Sequence, residues 1–209
     1  MKILIVDDHA ILRRGVKEMI EEQFAGAIFG EASTAQDTLE QVWKQDWHLA
    51  LLDITMPGRS GLEVLREIKK ARPKLPILVL SAHPVEQYAV RVLQAGASGY
   101  LTKLQAPEEL AEAIRKVLAG GIYISPEVAN KLSNHLRPDA QKPPHERLSN
   151  REFQVMKLLA SGKSTKEIAA ELCVSVQTVS THRARTLKKM ELATTAELIR
   201  YAVENKLLD

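Results

Sequence analysis

A single cysteine, Cys173, stands in the 209 residues. One thiol excludes an internal disulfide framework and a cysteine-cluster zinc site. Long apolar runs are also missing. Stretches such as Ile3-Leu4-Ile5-Val6 and Ile77-Leu78-Val79-Leu80 fall far short of the ~20 residues that cross a bilayer. The N-terminus enters Lys2-Ile3-Leu4-Ile5-Val6-Asp7-Asp8 directly, without the design of a signal peptide. No charge dominates, the net being +3. What remains is 45% hydrophobic and 26% charged residues, the ordinary globular mixture, which excludes disordered, collagenous and coiled-coil classes. The expectation is a soluble protein of a reducing cytoplasm, with one large or two small domains.

The first ~120 residues alternate short apolar runs with helical patterns. Lys2–Val6, Ala27–Gly30, His48–Leu52, Ile77–Leu80 and Ser98–Leu101 read as strands, several nearly all apolar, as when both faces of a parallel strand are covered. Between them Ala10–Gln23, Thr34–Gln45, Gly61–Ala71, Val85–Ala95 and Pro107–Ala119 read as helices. Five strand–helix units predict an α/β doubly wound fold with a five-stranded parallel sheet, of flavodoxin-like type, over residues 1–121. Residues 122–147 read as a short helix (Ser125–Leu136) and a polar, proline-rich linker, Arg137–Arg147.

The period then changes. Ser149-x-x-Glu152, Ser164-x-x-Glu167 and Thr194-x-x-Glu197 each match a capping box, and Ser175 is a fourth N-cap candidate. Four helices are expected near 150–161, 165–173, 176–190 and 195–205. Residues 148–209 are thus a small all-α domain, with Val155, Leu158, Leu159, Ile168, Ala169, Leu172, Val179, Leu187, Met190, Leu198 and Ile199 in its core. They hold ten basic and seven acidic residues.

Asp7 and Asp8 follow the first strand and Asp53 the third. Ligands of such sheets sit beyond the carboxyl ends of the strands, so the three carboxylates share one crevice. Clustered carboxylates repel unless a hard cation joins them, and Mg2+ uses a few of them while leaving room for phosphate oxygens. Ser81 after the fourth strand and Lys103 after the fifth add a hydroxyl and an ammonium that can clamp a phosphoryl group. A carboxylate can itself accept that group as an aspartyl phosphate.

The series Asp7-Asp8-His9, Leu51-Leu52-Asp53-Ile54-Thr55-Met56-Pro57-Gly58, Leu80-Ser81-Ala82 and Gly99-Tyr100-Leu101-Thr102-Lys103 resembles the receiver domain of bacterial two-component response regulators. The resemblance implies that Asp53 is the phosphoacceptor. Asp8 and Asp53 would bind Mg2+ directly, Asp7 through water, and the Thr55 backbone carbonyl would complete the ligands. Ser81 and Lys103 would touch the phosphoryl group, and Tyr100 would be the aromatic switch. Leu104 stands where many receivers have proline. The positions two after Asp53 and two after Ser81 are Thr55 and His83. Neither is a carboxylate or amide suited to hold an attacking water, so slow self-dephosphorylation is expected.

Helices 165–173 and 176–190 are joined by a very short turn, a helix-turn-helix arrangement. Ser180, Thr181 and Ala184 are expected at base edges of the major groove. Thr178, His182, Arg183, Arg185, Lys188, Lys189 and Lys166 complete the expected DNA-binding set, most of them on phosphates. The run Leu148-Ser149-Asn150-Arg151-Glu152, Leu159 to Ala169 and Val174 to His182 resembles the LuxR-type DNA-binding domain, with Ser180 where lysine is frequent and Arg183 where an aliphatic residue is frequent. Both halves together resemble the NarL/FixJ family. That implies a regulator phosphorylated by a sensor histidine kinase, binding double-stranded DNA as a homodimer and acting on transcription, with RNA polymerase a further partner.

Other features carry less. Gly162-Lys163-Ser164 imitates the end of a P-loop, but Lys157 stands where the first glycine is required. Cys173 is expected as a small core residue, Trp43 and Trp47 as packing residues, and His9 and His83 on the pocket rim. An aspartyl-phosphate enzyme is the competing reading. It requires a substrate cap, and no cap insertion is visible. A constitutive DNA-binding protein with a vestigial receiver is a third.

Overall fold

Five parallel strands and ten α-helices make up the computed structural model, which describes residues 1–56, 59–82, 85–103, 107–136, 143–205 and 207–208. Pro57, Gly58, His83, Leu104 and linker residues 137–142 lie outside them. The chain divides into two compact units, Met1–Asn134 and His135–Asp209.

In the first unit, strands β1 (Lys2–Val6), β2 (Ile28–Ala32), β3 (Leu49–Asp53), β4 (Ile77–Ser81) and β5 (Gly99–Thr102) form one parallel sheet of order β2-β1-β3-β4-β5. Helices α1 (Ala10–Gln23), α2 (Ala35–Lys44), α3 (Gly61–Ala71) and α4 (Val85–Gln94) connect them, and α5 (Pro107–Leu118) follows the last strand. Strand periodicity sorts the core into two layers. Leu4, Val6, Ala50, Leu52, Ile77, Val79 and Tyr100 join one apolar cluster; Ile3, Ile5, Leu49, Leu51, Leu78, Leu80 and Leu101 join the other. Burying each such aliphatic side chain contributes roughly 1.5–3 kcal/mol. Trp47 is buried, and its indole N–H donates to the Gln41 carbonyl at 2.9 Å. Trp43 corrects the packing expectation, being 55% exposed on the outer face of α2.

The segment read as helix and linker divides. Tyr123 bridges to Gly99, and its hydroxyl donates to Glu109 at 2.8 Å. In helix α6 (Pro126–Leu136) Val128 is fully buried and shares the cluster of Tyr100. Residues 122–134 therefore belong to the first compact unit, because Tyr123, Ile124, Val128 and Leu132 pack against its core.

In the second unit, a 3-10 turn (Pro144–Arg147) precedes α7 (Asn150–Ala160), α8 (Thr165–Glu171), α9 (Val176–Met190) and α10 (Thr195–Glu204). All three capping boxes form, and the Ser175 hydroxyl caps α9 by accepting from Thr178 N–H at 3.0 Å. Phe153 and Met156 are buried in addition to the expected core, while Leu158, Leu187 and Ile199 are only half-buried. Cys173 is exposed, not core. Its φ of 51° is left-handed and turns the side chain outward from the tight α8–α9 corner, while Leu172 fills the interior.

Candidate functional site

The carboxyl ends of β1 and β3 deliver the acidic residues. Asp7 and Asp53 are buried, Asp53 being only 1% exposed. Gly61 allows this approach at the start of α3. A Cβ there would come within 2.4 Å of the Asp53 carbonyl oxygen and 2.5 Å of Ile54 Cα, so only glycine lets the helix begin against the strand end. Lys103, one residue past β5, places its Nζ 2.5 Å from Asp7 Oδ2 and 2.8 Å from Asp53 Oδ2. The second Asp53 oxygen accepts from Thr55 N–H at 2.9 Å. Ser81 is fully buried at the end of β4, and Tyr100 is 1% exposed on β5. The backbone brings Asp7, Asp8, Asp53, Ser81 and Lys103 to one edge of the sheet, as the strand-end rule requires.

Burial pushes the Asp53 carboxyl above its ordinary range, with Asp7 adding to the rise and Lys103 and Thr55 only partly opposing it. Burial alone would lower Lys103, but hydrogen bonds and charges from Asp53 and Asp7 outweigh it and hold the ammonium above its usual value. One cation thus serves two buried carboxylates, and the cluster stays short of positive charge.

Ligand oxygens of Asp7, Asp8 and Asp53, with a His9 nitrogen, lie within 4.8 Å of one another. Asp8 Oδ1 is buried and accepts no hydrogen bond. His9 Nδ1 lies 2.9 Å from it, but the ring's aligned bond runs to Asp7 Oδ1 at 3.2 Å. Three clustered carboxylates, one with a buried oxygen that accepts no hydrogen bond, fit a hard cation. His9 sits on the rim as expected, its side chain 61% exposed. Sequence reasoning missed Arg13. Its guanidinium donates to the Asp7 carbonyl at 2.6 Å and pairs with Glu31 at 3.2 Å. The partner Glu31 comes from β2, so no local motif announces it.

The second unit presents α9 differently. Val179, Thr186 and Met190 are its buried side. Thr181, Ala184, Arg185 and Lys188 are exposed and Ser180 is half-buried. Other expected DNA contacts are engaged within the unit. Lys189 Nζ lies 2.7 Å from the carboxylate of buried Glu152. Arg183 Nε donates to Thr195 Oγ1 at 2.8 Å. Thr178 Oγ1 is 2.8 Å from Ser175 Oγ, and Thr181 donates to the Gln177 carbonyl at 2.9 Å. His182 is half-buried, and Lys166 is exposed in the first turn of α8.

An acidic strand-end pocket in one unit and a helix-turn-helix in the other define a signal-receiving protein that acts on DNA. The comparisons agree in both halves. Residues 3–115 match the response regulator receiver domain, and residues 146–202 match the bacterial regulatory proteins of the luxR family. Response regulator GacA of Pseudomonas aeruginosa is 33% identical over all of this chain and 98% of its own length. Response regulator UvrY of Escherichia coli is 33% identical over 99% and 95%. Among solved structures, RcsB from Salmonella enterica serovar Typhimurium, bound to promoter rprA in the presence of phosphomimetic BeF3-, is 27% identical and covers 96% of this chain and 98% of its own, with a TM-score of 0.68. The chain belongs to the NarL/FixJ family of response regulators and is a DNA-binding transcriptional regulator of a two-component system. No helix among the described residues is long and apolar enough to cross a membrane.

Proposed function

We propose that Asp53 accepts a phosphoryl group from a sensor histidine kinase and that this switches DNA binding by α9. The carrying observation is the Lys103 ammonium held between Asp7 and Asp53, with Asp53 buried at a strand end. In the transfer, an Asp53 oxygen forms the new P–O bond while the bond from phosphorus to the donor breaks, and the donor leaves with the electron pair. Asp7, Asp8, Asp53 and the Thr55 backbone carbonyl would hold Mg2+. When bound, that ion offsets the charge of the incoming dianion, which the carboxylates by themselves repel. Lys103 and the Ser81 hydroxyl hold phosphoryl oxygens, and movement of Ser81 is relayed to Tyr100. Catalysis is confined to the protein's own phosphorylation and dephosphorylation, which sets it apart from the competing phosphatase reading.

The division of labour is receiver 1–121, connecting segment 122–147 and DNA-binding domain 148–209. Arg185, Lys188 and Lys166 hold phosphates, and Thr181 and Ala184 face base edges. The protein acts in the cytoplasm as a homodimer on half-sites roughly 10 bp apart, and RNA polymerase is a further partner. On α10, Ala196 and Val203 are exposed and Ile199 half-buried, which leaves them for a second copy. Ala202, expected on that surface, is buried in the core. Intact mass tests the central step. A small-molecule phosphodonor with Mg2+ should add one phosphoryl group to the wild type and none to Asp53→Asn. Full labelling of that variant overturns the assignment.

A further inference from the structure

Helix α9 turns a narrow face to solvent. At about 100° per residue, Gln177, Thr181, Ala184 and Lys188 fall within about 60° of arc, opposite Val179, Thr186 and Met190. All four are exposed, and the three opposite are buried. In a helix-turn-helix the N-terminal part of the second helix meets base edges. Of the outward four, Gln177, Thr181 and Ala184 lie in that part. Ala184 has no polar group. The Thr181 hydroxyl already donates to the Gln177 carbonyl. Ser180, beside them, is half-buried. The Gln177 amide makes no hydrogen bond to any other described residue, and it stands on backbone fixed by the Ser175 cap and by Thr181.

We infer that Gln177 is a specificity-determining residue that reads an adenine in each half-site. This rests on the proposed DNA-binding role of α9. A primary amide offers one donor and one acceptor side by side. In the major groove adenine presents the complementary N7 acceptor and N6 donor, whereas guanine presents two acceptors and leaves the amide oxygen unmatched. Glutamate, which only accepts, suits the N4 donor of cytosine.

The test is selection of random duplexes by the full chain, with a small-molecule phosphodonor and Mg2+, for wild type, Gln177→Ala and Gln177→Glu. Wild type should enrich adenine at one fixed position per half-site by about tenfold, the scale of one bidentate contact. Gln177→Ala should flatten that position and leave the others. Gln177→Glu should move it toward cytosine. If Gln177→Ala keeps every base preference, or weakens binding equally on all sequences, the assignment falls while DNA binding by α9 stands. If the wild type binds duplexes but enriches no sequence, the proposed reading of base edges by α9 itself falls. Should Gln177→Ala fail to fold by circular dichroism, the Gln177→Glu selection decides: an unchanged adenine preference overturns the inference.

Discussion

The acidic pocket and the basic helix are assembled by opposite means, and the contrast explains why one was easier to read. In the pocket, residues distant in the chain converge because parallel strands end at one edge. Asp7, Asp53 and Lys103 meet within 2.8 Å across separations of 50 and 96 positions. On α9, residues adjacent in the chain diverge, because the helix turns them to different neighbours. Arg183 goes to Thr195 on α10, Lys189 to Glu152 on α7, and Lys188 to solvent. A charge at a strand end keeps its place; a charge on a helix needs its angular position before its role is known.

The largest expected effect breaks the pocket. Asp53→Asn should abolish phosphoryl incorporation entirely, and intact mass reads the loss. If another carboxylate of the cluster takes the group over to the same extent, convergence does not single out Asp53.

The next effect is on stability, on the helical side. Glu152 is buried, closes the capping box with Ser149 and pairs with Lys189. Glu152→Ala should cost about 2–3 kcal/mol in urea unfolding of the second unit, since it removes the reciprocal half of the capping box and leaves the Lys189 ammonium without its carboxylate partner. Burial by itself would raise the Glu152 carboxyl, but Lys189 and the Ser149 groups outweigh it and hold it below its ordinary range. A depressed folded value stabilises the fold above the ordinary carboxylate range, about pH 4.3. That stability should be lost as pH falls through the depressed value. Glu152→Gln should abolish this acid-side loss, as followed by circular dichroism.

A smaller effect sharpens the angular argument. Arg185→Ala and Lys188→Ala should each lower the salt slope of DNA binding by ~1. Lys189→Ala should change the slope by less than half as much while destabilising the unit, because its ammonium is held by Glu152. Equal slope changes for Lys188 and Lys189 would erase the distinction.

The smallest concerns how long the pocket stays loaded. Thr55 is exposed beside Asp53 and is short for holding an attacking water, so decay of the phosphorylated protein should be slow. Thr55→Asn supplies a longer hydrogen-bonding side chain and should speed decay by about three- to tenfold, positioning being the main demand of this chemistry. Loss of the group within seconds from the wild type, or slower loss from the variant, contradicts this.

Strand periodicity determined the sheet without help from tertiary contacts. Five apolar runs with helical patterns between them fix a doubly wound fold, and that fold carries Asp7, Asp8, Asp53, Ser81 and Lys103 to one edge. The capping boxes likewise placed the starts of α7, α8 and α10, because a cap is satisfied by residues three apart. Only the tertiary structure could decide what depends on neighbours from other elements. Arg13 reaches the Asp7 carbonyl while paired with Glu31 on β2, Tyr123 and Val128 commit the segment after α5 to the first unit, and Cys173 turns outward at a left-handed corner. Which cations of α9 remain for DNA also depended on partners that local sequence does not name, since burial of Glu152 and the position of Thr195 are set by how α7 and α10 pack.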